Sequence, residues 1–230
     1  MINTKLPVRY LICVIITFWA LSTTVMAQST KDETFNEYSY TNIKFRNIEN
    51  ERVKNCFLEV YHHFDLSHDY DITLVQKKLK ASTMRAQPIM SLKTLFTGVK
   101  KYRITLALYV KDSDEFLVSE LPDAVLKGWF AHEIGHLVDY EPRSNFGMMV
   151  YGLRYIFSKE FKRRVEHDAD SIAVANGFAE EILATKRFIL ENEFLGDDYK
   201  SIINKYYMSI DAIELYLEDD HAPTLPKIEI

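Results

Sequence analysis

His132-Glu133-Ile134-Gly135-His136 packs two imidazoles and one carboxylate into five residues. On a helix, residues four apart are neighbours with Cβ atoms roughly 6 Å apart. His132 and His136 can therefore chelate one ion, while Glu133 reaches a water beside it and acts as general base. A hydrolytic zinc site takes three protein ligands and keeps a fourth position for water, whose pKa falls to about 7. Two histidines leave that set one ligand short.

The best third ligand is Glu166, in Glu166-His167-Asp168-Ala169-Asp170. On a helix Glu166 and Asp170 share a face, so Glu166 can ligate while Asp170 accepts a hydrogen bond from the free ring nitrogen of a ligating histidine. Asp139, three residues after His136, is the rival; a third ligand on the same helix has to curl round to complete a tetrahedron. His167 adjoins Glu166 and diverges from it by about 100°, which points it to core or surface. His62 and His63 diverge in the same way and sit at the end of a helical pattern. Chance copies of HExxH mostly carry charged fillers on a surface, whereas Ile134 and Gly135 are uncharged and the flanks are apolar.

The two motifs together resemble those of the gluzincins, zinc peptidases that pair HExxH with a downstream Glu-x-x-x-Asp. The resemblance is strongest from Gly128 to Ala175, and the separation of Glu166 from His136 is similar to that in the compact, minigluzincin-like members. It implies an α+β, zincin-like fold with a small strand-rich upper lobe, an active-site helix and a helical lower lobe. It also implies one zinc ion on His132, His136 and Glu166, with Glu133 as the catalytic base and Asp170 behind a histidine. Thr83 to Pro88 then resembles a substrate-aligning edge strand, and the order of edge strand, second strand and active-site helix is also similar to that of exported Ste24-type peptidases. The activity implied is hydrolysis of a peptide or protein substrate. An endopeptidase is expected, because no amine-anchoring Gly-x-Met-Glu-Asn is present. For the oxyanion donor, Tyr199, Tyr206, Tyr207 and His221 all stay open. The alternative is a non-catalytic metal-binding or regulatory module on the same scaffold; retention of Glu133, which only catalysis needs, favours the enzyme.

These residues need elements to hold them. Val53, Phe57, Leu58, Val60, Tyr61 and Phe64 recur at helical spacing. Ile72 to Val75 with Leu79, then Thr83 to Pro88, then Tyr102 to Val110 have strand patterns, and Pro88 pushes the second towards a sheet edge. Beyond Asp112 the chain turns helical. Pro122 suits a helix start and Pro142 ends that rod after Tyr140, with HExxH in its second half. Further helices are expected over 146–157, from an N-cap at Ser158 to near Gly177, over 179–194 and over 198–218.

Residues 1–27 have the form of an export signal: Lys5 and Arg9, an apolar run from Leu11 to Leu21, and Val25-Met26-Ala27 as a cleavage site. The expected product is periplasmic or secreted, and the membrane is a partner only if this segment stays as an anchor. Residues 28–40 are polar and aperiodic, a flexible leader. A single domain over 41–230 follows, with an upper lobe to residue 140 and a lower lobe from 141. Removing Lys5 and Arg9 from 28 basic residues leaves 26 against 33 acidic ones. That negative balance makes nucleic acid an unsuitable partner. Cys13 lies in the signal and Cys56 stands alone, which excludes an intramolecular disulfide and a Cys-based zinc site.

Overall fold

The structure is a computed structural model, and it describes residues 42–64, 66, 70–79, 82–90, 101–113 and 116–218. The segments expected to be a signal and a leader, and His221, lie outside the described residues. The architecture is α+β, with one small mixed sheet followed by helices.

Strands β1 (Ile43–Arg46), β2 (Asp71–Gln76), β3 (Met84–Pro88) and β4 (Lys101–Leu106) form a sheet in the order β1-β2-β4-β3. β1 runs parallel to β2 and β2 parallel to β4, while β3 is antiparallel to β4. A parallel pair needs a crossover, and helix α1 (Glu51–His62) supplies it between β1 and β2. The Asn50 side chain caps that helix by accepting from the Val53 N–H. Phe57 of α1 packs edge-on against Phe45 of β1 and Phe130 of the next helix, with ring centroids 6.0 and 5.3 Å apart, locking helix to sheet. Cys56 is buried in this core, as expected of a lone small apolar residue.

Helix α2 (Asp123–Tyr140) is the hub, touching α1, β3 and two later helices. Most of it is buried, with Leu126, Phe130, Ala131, Ile134 and Leu137 fully so, because several elements pack around it. Two glycines allow the enclosure. A Cβ on Gly128 would lie 2.1 Å from the Glu181 carbonyl oxygen, and one on Gly135 would lie 2.5 Å from that of Ala169.

The lower part comprises α3 (Asn145–Phe157), α4 (Lys159–Ala173), a π-type segment (Val174–Phe178), α5 (Ala179–Glu191), α6 (Asp197–Tyr206) and α7 (Ile210–Glu218). Ser158 caps α4 by accepting from the Phe161 N–H at 3.1 Å. Gly177 takes φ +92°, where a side chain is strained, and α5 begins two residues later.

β1 goes beyond the sequence reading, because four residues reading Ile-Lys-Phe-Arg are too short for a periodic signal. Two expectations need correcting. The long strand to Val110 stops at Leu106, after which Tyr109 forms an isolated antiparallel bridge with Leu117. The single helix over 198–218 is two helices, interrupted at 207–209, where Met208 N–H leaves the helical pattern to bond Asp170 and Ser209 caps α7 by accepting from the Ala212 N–H.

Candidate metal centre

His132 and His136 lie one turn apart on α2, and Glu166 reaches them from α4. Their ligand atoms all fall within 4.8 Å of one another, and all three residues are buried. Glu166 Oε2 is 3.2 Å from His132 Nε2 and 3.5 Å from His136 Nε2, so both imidazoles aim the same nitrogen at one carboxylate oxygen. Close approach of α2 and α4 makes this reach possible. Gly135 faces the Ala169 backbone, and any larger filler there would push Glu166 away.

The surrounding groups hold these side chains in place. Asp170 Oδ1 lies 2.9 Å from His132 Nδ1, which fixes the ring and turns Nε2 towards Glu166. Asp170 Oδ2 is 3.1 Å from Lys186 Nζ of α5 and accepts from the Met208 N–H at 3.0 Å. The Tyr155 hydroxyl of α3 donates to Glu166 Oε1, leaving Oε2 turned to the histidines. Among the described residues His136 Nδ1 is buried without a hydrogen-bond partner. The His136 ring instead stacks on Tyr140 at 6.0 Å.

Glu133 sits on the same helix, turned to the sheet. Its Oε2 accepts the Ala86 N–H of β3 at 2.5 Å. An amide bonded there points away from β4, so Ala86 and Ile104 form a non-hydrogen-bonded pair and the Ala86 carbonyl faces outward as well. Thr83 and Ile89, in the opposite parity, do bond towards β4, through the Ala107 N–H and the Lys101 carbonyl. Pro88 shares Ala86's parity, so its missing N–H costs the ladder nothing, and among the described strands β3 lies at the edge, as its proline suggested.

Burial disfavours charge throughout, and specific partners decide each group. The His132 pKa is lowered by burial but raised further by Asp170 and Glu166, reaching about 10. Burial raises Glu166, yet the two histidines hold it well below the ordinary carboxylate range. Asp170 is also held low against burial, by Lys186 and then His132. Glu133 goes the other way: burial lifts its pKa, and the histidines offset only part of that. Two nitrogens and one carboxylate oxygen, oriented and enclosed, form a group that could hold a metal ion.

The other residues considered fall outside the cluster. Asp139 accepts from Tyr151 at 2.6 Å and pairs with Arg143 at 2.9 Å. His63 bonds the Glu59 carbonyl oxygen with Nδ1 and packs on Phe178. His167 is half-buried, with its pKa lowered first by burial and then by Arg163. Of the tyrosines, Tyr199 packs under Lys111, and Tyr206 lies beneath Lys162 and Lys205. Tyr207 tilts over the His132 ring at 5.2 Å. Sequence reasoning missed Lys186 and Tyr155, because a lysine and a tyrosine on amphipathic helices carry no local sign of burial against a carboxylate. The capping pattern of Ser209 was the one available signal that the chain breaks beside Tyr207.

No protein-family model, curated protein or solved structure matches this chain.

Proposed function

We propose that this protein is an exported, zinc-dependent metallopeptidase of gluzincin type that cleaves within peptide chains. The observation carrying this reading is the convergence of His132, His136 and Glu166 within 4.8 Å, with Glu133 held beside them against an edge strand. Two imidazoles and a carboxylate are a ligand set of catalytic zinc, which when bound polarises a carbonyl oxygen and acidifies water.

The chain's own residues account for the remaining chemistry. Glu133, its pKa raised by burial, takes a proton from the attacking water as the oxygen–carbon bond forms. It returns that proton to the amide nitrogen as the carbon–nitrogen bond breaks, and the remaining proton of the water passes from the new carboxylic acid to the amine, leaving a carboxylate and an ammonium group. The outward Ala86 carbonyl gives an extended peptide a place to bond along β3. Burial and then the Glu166 charge keep the Tyr207 phenol protonated, so it remains a donor for the oxyanion.

The test is metal analysis with a general protein substrate. Wild type should retain about one zinc per chain. Glu133→Gln should keep the metal while turnover falls roughly a hundredfold or more. Equal cleavage by the two proteins would remove the catalytic assignment, and a metal-free wild type would remove the centre.

A further inference from the structure

Helix α3 is apolar on the side that faces away from the core. Met148 and Tyr151 point inward and are buried, while Phe146, Met149, Val150, Leu153, Ile156 and Phe157 are exposed. Phe146 is 67% exposed, Ile156 62% and Phe157 70%. At about 100° per residue the six fall within an arc of roughly 120°, opposite the buried face. A surface helix ordinarily turns charged residues outward there, and a contiguous apolar patch marks an interaction face.

The charge around it is equally uneven. From 142 to 164 the chain carries Arg143, Arg154, Lys159, Lys162, Arg163 and Arg164 against the single acid Glu160. That is +5 within a chain of net −5, so the remainder carries −10. At the C-terminal end of the apolar stripe a cleft of about 340 Å³ is lined by Tyr155, Ile156, Lys159, Lys162 and Tyr206, placing two ammonium groups beside apolar surface.

We propose that α3 docks flat on an anionic phospholipid bilayer, its apolar face in the headgroup–acyl boundary and its basic flank against lipid phosphates. At 13 residues it is about 20 Å long, too short to span but suited to the interface plane. Charge complementarity selects this occupant, because a second copy would bring +5 against +5 across the same face. Docking would hold the metal centre close to the surface, since Tyr155 of this helix bonds Glu166.

The experiment floats residues 28–230 with phosphatidylcholine vesicles, with and without phosphatidylglycerol. Every described element lies within 42–218, so this chain keeps the whole described core and lacks the apolar Leu11–Ala27 stretch. Binding is expected to the anionic vesicles and to fall at least tenfold on neutral ones. Lys159→Gln/Arg163→Gln should lose roughly 25-fold, at about fivefold per surface charge, and added salt should do the same to wild type. Phe146→Ser/Ile156→Ser/Phe157→Ser should abolish flotation with the circular-dichroism melt unchanged; should that variant misfold, the charge variant alone decides. Wild type that stays unbound, or a charge variant that binds as tightly as wild type, overturns the proposal. So does a sedimenting dimer that the serine variant dissolves, which would assign the face to a second copy.

Discussion

Lys186 Nζ and Asp170 Oδ2 form a buried ion pair at 3.1 Å, and the other Asp170 oxygen holds His132 at 2.9 Å. The three charged groups form one row leading away from the metal cluster, and Met208 supplies the remaining donor. Burying two ions is costly unless they satisfy each other, so the row survives only intact. Lys186→Met should cost about 3 kcal/mol in denaturant unfolding, and adding Asp170→Asn should recover much of that loss. Asp170→Asn should also weaken metal binding roughly 10- to 100-fold in a chelator competition. Stability unchanged by Lys186→Met would mean that the pair contributes nothing.

Tyr207, whose ring tilts over His132, is the tyrosine proposed as the donor to a developing charge. Tyr207→Phe removes only the hydroxyl and keeps the ring on His132. Turnover should drop by roughly a hundredfold or more, with KM and metal content little altered. Tyr206→Phe, whose ring lies beneath two lysines away from the cluster, should leave turnover unchanged. Matching effects from both substitutions would discard Tyr207 as donor.

Gly135 is where a single methyl group would separate two helices. Gly135→Ala should force α2 from α4, destabilising the domain by about 1–3 kcal/mol as overpacking does. Because the Glu166 reach depends on that contact, metal affinity should fall alongside the melting temperature. A variant with lowered stability and undiminished affinity would show that α4 can shift without moving its carboxylate.

The cluster also dictates a pH response. His132 is raised, so its contribution to the stability of chelator-treated protein is complete below its unfolded value near 6.5 and is lost as pH climbs towards about 10. Glu166 and Asp170 are depressed, so theirs is present above about pH 4 and lost as pH falls further. Urea midpoints should therefore peak between those limits. Metal must displace the proton on His132, so its binding should tighten with rising pH and release protons, measurable by calorimetry in buffers of different ionisation heat. An affinity flat between pH 6 and 8 would contradict the link.

The side chains of the candidate metal cluster were legible because their spacing on helices is fixed by backbone geometry: a step of four from His132 to His136, and a step of four from Glu166 to Asp170. Helix α2, with proline at one end and another just past its close, was legible for the same local reason. Contacts made between distant segments were not. Lys186 looks like a surface residue until α5 is laid on α2, and Tyr155 looks like helix packing until α3 returns to α4. Ala86 could be placed on an edge strand, yet its hydrogen bond to Glu133 depends on sheet register, which periodicity does not fix. The parallel pairing of β1 with β2 was likewise out of reach, since four residues give no period.

The bond from the Met208 amide to Asp170 spans 38 positions of the chain. A polypeptide that has emerged from the ribosome only as far as Glu191 already holds every side chain of the cluster, but neither this amide nor the phenol beside it. Support of the cluster therefore depends on the stretch around residue 208 packing back on Asp170, and a chain truncated before that point would lack both groups.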